Sequence, residues 1–181
     1  MSHRLLLMQC HKKIQEGYVS TMTSNSDPSP FVVSANSNHP DCPPWKAFDG
    51  DQATSWHSAT GSSSPWWLKI DLGLSVSIWK YNLTSRDHSY GGYPLIDAPV
   101  NWLIQGSNDN TNWIDIDTQT GIYDWTWKES RDFVLTKPSG KYRYYRFYCT
   151  LFGRSIYGGA FANCAMLDVC NLGTFQIYQY K

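Results

Sequence analysis

One short segment brings together several residues that could bind a metal ion. Within residues 45–58, two aspartates flank a glycine as Asp49-Gly50-Asp51, and a threonine follows at position 54. Carboxylate, carbonyl and hydroxyl oxygens are the ligands that a hard cation such as Ca²⁺ prefers. The same residues are also typical of an Asp-Gly turn in which the aspartates bond their own backbone. The segment by itself therefore leaves a cation site and a plain turn open.

Signatures of catalysis are missing from the sequence. Only two glutamates occur, Glu16 and Glu129, so a pair of glycosidase carboxylates would have to come mainly from aspartates, and no spacing points to such a pair. The five histidines follow no metal-ligand spacing. The serine-rich run at 61–65 lacks the second glycine of a nucleophile elbow. We therefore expect a binding protein and no enzyme.

The composition is rich in aromatic residues and poor in charge. The 181 residues include 9 Trp and 12 Tyr, and 15 basic residues balance 15 acidic ones. Charged residues make up 17% of the chain, against about 25% in a typical globular protein. This composition excludes a charge-solvated disordered chain. It also disfavours nucleic acid and anionic lipid as partners, because both require a basic surface.

The first 21 residues differ from the rest of the chain. The apolar run at 5–8 is interrupted by polar and basic residues at 9–13, so it is shorter than the roughly 7–15 apolar residues of a signal-peptide core. No stretch approaches the roughly 20 apolar residues of a membrane span. We expect a leader or anchor over residues 1–21, no signal peptide, and one domain over residues 22–181.

From residue 31 onward, short apolar runs alternate with turn residues, and no window predicts a long amphipathic helix. Period-two alternation, as in Leu68, Ile70 and Leu72, indicates half-buried strands. Strands spaced by turns in this way predict an all-β antiparallel sandwich or jelly roll. The eight candidate strands cover residues 31–35, 66–72, 78–85, 102–107, 113–118, 131–135, 142–151 and 175–180.

Many of the aromatic residues lie inside these strands. We predict that four strand tryptophans are core or inter-sheet residues: Trp56, Trp79, Trp102 and Trp113. In the segment 141–146, basic and aromatic residues alternate, which is also a pattern of nucleic-acid-binding faces. Because the net charge is zero, we favour a strand with Tyr142 and Tyr144 facing inward.

Five blocks of the sequence occur in an order that is typical of a known family. They read AFDGDQATSWHS at 47–58, PWWLKIDLG at 65–73, IWKYNLTSRD at 78–87, NWLIQGSNDNTNWIDIDTQTG at 101–121 and YRYYRF at 142–147. Together they resemble the coagulation factor 5/8 type C, or discoidin, domain, and most of all its family 32 carbohydrate-binding modules and its copies in bacterial and phage surface proteins. The resemblance covers residues 22–180 and implies a galactose-binding-like, eight-stranded antiparallel jelly roll.

The resemblance also implies a structural calcium ion near the Asp-Gly turn. Its ligands would be the side chains of Asp49 and Thr54, a main-chain carbonyl at Lys46 or Ala47, and Asp51. The family usually adds a glutamate just before the last strand, where this sequence has Thr174. That departure removes one expected charge from the site.

A sugar site is implied by the same resemblance. His57 directly follows Trp56, where galactose-binding members place a histidine, and Arg86 ends a strand where they place an arginine. Without the family pattern, His57 is a turn residue bonded to local backbone, and Arg86 is a surface charge paired with Asp87. Further candidates for the walls and the aromatic platform of the site are His39, Trp45, Tyr90, Tyr93, Tyr157 and Phe161.

Two functional hypotheses follow. In the first, the domain is a non-catalytic, lectin-like module that binds exposed galactose-type or N-acetylhexosamine glycans and serves adhesion. In the second, it is a structural component of a larger assembly such as a phage virion, with other subunits as partners and residues 1–20 as the anchor. Both hypotheses place the protein outside a cell or on a particle surface. Binding to phosphatidylserine, as in the blood-clotting relatives, is disfavoured by the neutral charge.

Overall fold

The structure is a computed structural model that describes residues 17–86, 97–153, 171–172 and 174–180, with the backbone alone at 171, 172 and 174. The predicted strands all occur, within a residue or a few of their expected ends, and two further strands of two residues each were not predicted. The elements in chain order are β1 (Val32–Ala35), a 3-10 helix (Pro44–Ala47), β2 (Trp56–His57), β3 (Trp66–Val76), β4 (Ile78–Thr84), β5 (Pro99–Ser107), β6 (Ile114–Gln119), β7 (Ser130–Val134), β8 (Tyr142–Phe152), β9 (Asn171–Leu172) and β10 (Thr174–Gln179).

The strands form two antiparallel sheets that pack as a sandwich. The larger sheet has the order β1-β3-β8-β5-β6, and the smaller has the order β10-β4-β7. Rings from both sheets meet between them: Trp102 of β5 lies 5.3 Å from Phe133 of β7, centroid to centroid, and Phe147 of β8 lies 6.5 Å from Phe175 of β10. The predicted all-β sandwich is confirmed.

The tryptophan predictions are half right. Trp56 and Trp102 are buried in the core, whereas Trp79 and Trp113 are only half-buried. The reason is position: Trp113 stands just before the edge strand β6, and Trp79 lies on the smaller sheet near the start of β4. A cation covers each exposed ring face instead, since the Arg146 guanidinium lies 4.1 Å from the Trp113 centroid and Lys80 Nζ lies 5.5 Å from that of Trp79.

Strand β8 has the opposite phase to the predicted one at its centre. Tyr145 is fully buried and pairs with the buried Ile70 of β3, while Tyr144 is half-buried on the outer face. The inward prediction for Tyr144 is therefore wrong, and Tyr142 only packs against the margin of the core. Because consecutive tyrosines suit either face of a half-buried strand, the sequence pattern did not determine the phase.

Residues before position 22 also pack against the sandwich. The Tyr18 amide donates to the carbonyl of Ile177, 2.8 Å away, and Val19 is part of the core. Both residues belong to the segment that the sequence analysis assigned to a leader. In the ranges that the structure describes, no helix combines the length and the apolar character needed to cross a bilayer.

Candidate functional site

The Asp-Gly turn lies between the 3-10 helix and β2. Asp49 Oδ1 accepts the Asp51 amide at 2.9 Å, and Asp51 Oδ1 accepts the Ala53 amide at 2.8 Å. Gly50 has a φ of +71°, in the left-handed region that glycine adopts without strain. Both aspartates thus bond local backbone, as the turn interpretation predicts.

Four oxygen atoms converge inside this turn. Thr54 Oγ1 donates to Asp49 Oδ2 at 2.6 Å and lies 3.4 Å from the Lys46 carbonyl and 3.2 Å from the Asp51 carbonyl. The Lys46 carbonyl thus lies at the cluster, and Asp51 presents its carbonyl to the cluster rather than its carboxylate. No group of three or more His, Cys, Asp or Glu residues capable of holding a metal occurs among the described residues. One carboxylate, two carbonyls and one hydroxyl form a set suited to a hard cation.

The second cluster is built around His57 on β2. The His39 amide donates to the His57 carbonyl at 2.8 Å, and the His57 amide donates to the Cys42 carbonyl at 3.3 Å, so the 39–42 loop pairs with this short strand. His57 Nδ1 lies 2.7 Å from the Ser58 carbonyl. Because a carbonyl only accepts, Nδ1 carries the hydrogen and Nε2 of the neutral ring is an acceptor. The local-backbone interpretation of His57 thus holds for one nitrogen only.

His39 lies beside His57, with ring centroids 5.3 Å apart and planes at 67°. Its Nδ1 accepts the Asp41 amide at 3.3 Å, so the hydrogen of the neutral ring is on Nε2. The two imidazoles therefore differ in tautomer, with Nε2 a donor in His39 and an acceptor in His57. Such a pair can donate to the lone pair of a hydroxyl group through His39 Nε2 and accept the hydrogen of a hydroxyl group at His57 Nε2.

Arg86 is held by a residue that the sequence analysis missed. Its Nε lies 2.7 Å from Asp97 Oδ2 and 2.9 Å from Oδ1, and the two side chains are 14% and 3% exposed. Burial raises the pKa of the Asp97 carboxyl, while the Arg86 charge opposes that rise. Asp87, the partner predicted for Arg86, lies outside the described residues. No motif marks Asp97, because the contact depends on how the chain folds back after residue 86.

The imidazole of His57 and the Arg86–Asp97 ion pair belong to one cluster. Burial lowers the pKa of His57; the Asp97 charge opposes this decrease, and the charges of His39 and Arg86 add to it. The half-buried Cys42 thiol lies at the same place, since Lys46 and Arg86 both act on it, and burial raises its pKa. The predicted site residues His39 and His57 are thus in ring contact, and the Arg86 charge is near enough to act on the His57 imidazole.

The predicted aromatic platform is not among the residues that the structure describes. Tyr90, Tyr93, Tyr157 and Phe161 all lie outside the described ranges. Trp45 is half-buried, and its amide donates to Asn25 Oδ1 at 3.2 Å.

The sequence matches the family model of the F5/8 type C domain over residues 22–165. The chain belongs to the F5/8 type C domain family. The expected resemblance is thereby confirmed. In a comparison with curated proteins, none matches this F5/8 type C domain.

Solved structures show the same fold. The family 32 carbohydrate-binding module of Clostridium perfringens NanJ, in complex with galactose, is 17% identical, with 82% of this chain and 93% of that chain covered and a TM-score of 0.61. Another C. perfringens module, in complex with GalNAc-β-1,3-galactose, is 18% identical, with 82% and 94% covered and a TM-score of 0.59. At these identities the likeness establishes the jelly-roll fold of this F5/8 type C domain and leaves its ligand undetermined.

A third neighbour is chitosan-binding module 1 of Paenibacillus sp. IK-5. It is 24% identical, with 81% of this chain and 93% of that chain covered and a TM-score of 0.59. That module derives from a chitosanase/glucanase. This F5/8 type C domain thus resembles non-catalytic carbohydrate-binding modules, a kind of domain that also occurs as a part of enzymes.

Proposed function

We propose that the domain is a non-catalytic module that binds a terminal galactose or N-acetylhexosamine at the cluster of His57, His39 and Arg86. The proposal is carried by the ring contact of His39 with His57 beside the buried Arg86–Asp97 ion pair, whose charges both act on the His57 imidazole. The fold shared with sugar-binding modules supports the ligand class.

The chemistry of the cluster suits neutral hydroxyl groups. Asp97 fixes the Arg86 guanidinium through Nε, and a planar fork of N–H donors suits two adjacent hydroxyl oxygens. His57 supplies the complementary acceptor at Nε2, and its lowered pKa keeps the ring neutral near pH 7. A sugar hydroxyl would donate to His57 and accept from Arg86. No nucleophile or acid–base pair is required for such binding.

A single site of this kind should bind weakly. A monosaccharide offers few atoms, so we expect a dissociation constant on the order of millimolar to micromolar. Adhesion to a glycan-bearing surface would then depend on several copies acting together, because linked sites raise the effective concentration of the next binding event.

The test is a titration of the full chain with galactose and N-acetylgalactosamine, followed by NMR or calorimetry. We expect His57→Ala to weaken binding at least tenfold, the equivalent of about 1.4 kcal/mol, and Arg86→Lys to weaken it because Lys lacks the planar fork. The matched control is Lys137→Ala, which alters an exposed side chain just after β7. This position is at the far end of the small sheet, the end away from Arg86. Unchanged binding in both site variants, or no binding by the unmodified chain, would refute the proposal.

We also propose that the turn binds Ca²⁺ through Asp49 Oδ2, Thr54 Oγ1 and the carbonyls of Lys46 and Asp51. The support is the convergence of these four oxygens. Ca²⁺ takes six to eight oxygen ligands, so water would fill the remaining positions. Thr174, which stands where the family usually has glutamate, makes this a site of low charge, and we expect an affinity weaker than that of a site with two carboxylates.

Two isosteric variants test the calcium proposal. Melting temperature would be measured with Ca²⁺ and with a chelator. Asp49→Asn should abolish the Ca²⁺-dependent rise, because it removes the ligand charge. Asp51→Asn should preserve the rise, because the Asp51 carbonyl, not its carboxylate, lies in the cluster. Equal melting temperatures of the unmodified chain under both conditions would contradict the site.

A further inference from the structure

The loop between β6 and β7, residues 120–129, presents two large rings to solvent. All nine tryptophans lie in the part of the chain that the structure describes, and among them only Trp127 is exposed, at 52%. Tyr123 is exposed to the same extent, and Trp125, midway between them, is buried at 7%. The loop thus buries one of its three rings and leaves the other two in water.

This loop is firmly attached to the sandwich. The Trp125 indole donates to the Pro99 carbonyl at 2.8 Å, and its ring lies 4.4 Å from the Arg131 guanidinium. Arg131 in turn donates to the carboxylate and the carbonyl of Asp124, both at 2.8 Å. The Ile122 amide donates to Val100 at 3.2 Å. An exposed ring on an anchored loop loses little conformational entropy when it binds a ligand.

The same loop is joined to the segment that carries Arg86. The Lys128 amide donates to the Arg86 carbonyl at 3.1 Å, and Ser85 Oγ donates to the Thr126 carbonyl at 2.5 Å. Lys128 has a φ of +55°, a left-handed conformation that residues with a Cβ adopt at a cost and that is held by surrounding contacts. Trp127 is therefore the immediate chain neighbour of a residue bonded to the backbone of the proposed sugar-binding arginine.

Charges on the loop favour an uncharged ligand. Its acidic side chains, Asp124 and Glu129, both pair with Arg131, at 2.8 and 2.6 Å. The contacts with Arg131 lower the pKa of both carboxyls, that of Glu129 to about 2, so both stay ionised. Arg131 and Lys128 together balance these two negative charges. The surroundings of Trp127 thus offer an apolar ring face without a strong field of either sign.

We infer that Trp127 forms a second subsite, which stacks on the apolar C–H face of the sugar next to the terminal residue held at His57 and Arg86. The inference rests on the proposed function and names its ligand class more closely: a neutral oligosaccharide of at least two rings. An indole face suits a pyranose because the ring presents apolar surface with its edge still in water. Tyr123, on the same loop, extends the aromatic surface.

The experiment compares one-ring and two-ring ligands. The full chain is titrated with methyl β-galactoside and with galactose-terminated disaccharides of 1→3, 1→4 and 1→6 linkage. We expect at least one disaccharide to bind about three- to tenfold more tightly than the monosaccharide, the range given by one aromatic contact. Trp127→Ala should remove that gain and leave monosaccharide affinity unchanged. The matched control is Tyr180→Ala, another exposed ring, 55% accessible, on the far end of the small sheet.

The outcomes separate this inference from the function on which it rests. If no sugar binds to the unmodified chain, the proposed function fails. If the monosaccharide binds but no disaccharide gains affinity, or if the gain survives in Trp127→Ala, the subsite is wrong while the function stands. Tryptophan fluorescence adds a readout that a purely structural role would not move, since disaccharide but not monosaccharide should protect Trp127 from acrylamide quenching.

Discussion

The two ends of the small sheet differ in what their polar side chains bind. Strand β4 runs from Ile78 to Thr84, so Arg86 lies beyond its last residue and Trp79 lies near its first. Beyond Thr84, charged groups bind one another, as in the Arg86–Asp97 pair. The far end holds a cavity of about 420 Å³ lined by Trp79, Leu135, Thr136, Lys137, Pro138, Gln179 and Tyr180.

Hydroxyl groups at the far end donate hydrogen bonds to backbone carbonyls. Ser77 Oγ donates to the Ser139 carbonyl at 2.5 Å, and the buried Tyr145 hydroxyl donates to the Val76 carbonyl at 2.7 Å. These contacts close the turn after β3 and the loop before β8. The proposed sugar site lies at the other end, beyond Thr84, where side chains with unlike roles occur: one donor fork, Arg86, and one acceptor ring, His57.

Removal of Asp97 should produce the largest effect and distinguish the two ends most sharply. Asp97→Ala leaves Arg86 charged and only 14% exposed, so we expect the free energy of unfolding to fall by about 3–5 kcal/mol, as for other broken buried pairs. The loss would be measured by urea denaturation. Galactose binding should fail in the same variant, because the guanidinium is no longer held in place.

A matched aspartate provides the control. Asp132 pairs with Lys80 at 2.8 Å, but its side chain is 50% exposed, so Asp132→Ala should cost at most about 1 kcal/mol. A double change to apolar residues, Arg86→Met with Asp97→Leu, should restore much of the stability lost in Asp97→Ala without restoring sugar binding. Equal losses for the two single aspartate variants would contradict the importance of burial at the site end.

The strands could be predicted from sequence for a physical reason. Alternation such as Leu68, Ile70 and Leu72 follows directly from the strand geometry that buries every second side chain. The phase of β8 could not be predicted in this way, because Tyr144 and Tyr145 tolerate either face. Asp97 illustrates the other limit: it approaches Arg86 only after the chain has folded back, and no local pattern encodes that approach.

At the far end, loss of the Tyr145 hydroxyl should affect stability alone. Tyr145→Phe removes the donor to Val76 and a partner of Ser139 Oγ, 2.9 Å away. A buried carbonyl left without its donor costs about 1–3 kcal/mol, so we expect a decrease in that range by urea denaturation. Galactose affinity should be unchanged in the same variant. A weaker affinity would mean that the two ends are coupled through the sheets.

The smallest predicted effect is the pH dependence that His57 confers on the site end. Burial lowers its pKa below the ordinary 6.5. Between the lowered pKa and 6.5, the unfolded chain therefore binds a proton at His57 and the folded chain does not. Stability due to this group is therefore complete above pH 6.5 and decreases as the pH falls from there through the lowered pKa. Urea denaturation at several pH values would measure it, with His57→Gln as the reference that cannot titrate.

Sugar affinity should decrease over the same pH range, since protonation turns His57 Nε2 from an acceptor into a donor. The Tyr145→Phe variant should show the same pH dependence as the unmodified chain, because its substitution lies at the other end. His57→Gln should lose the part of the dependence that falls below pH 6.5. If the unmodified chain and His57→Gln lose stability and affinity in parallel on acidification, another group controls the effect and His57 has no special part in it.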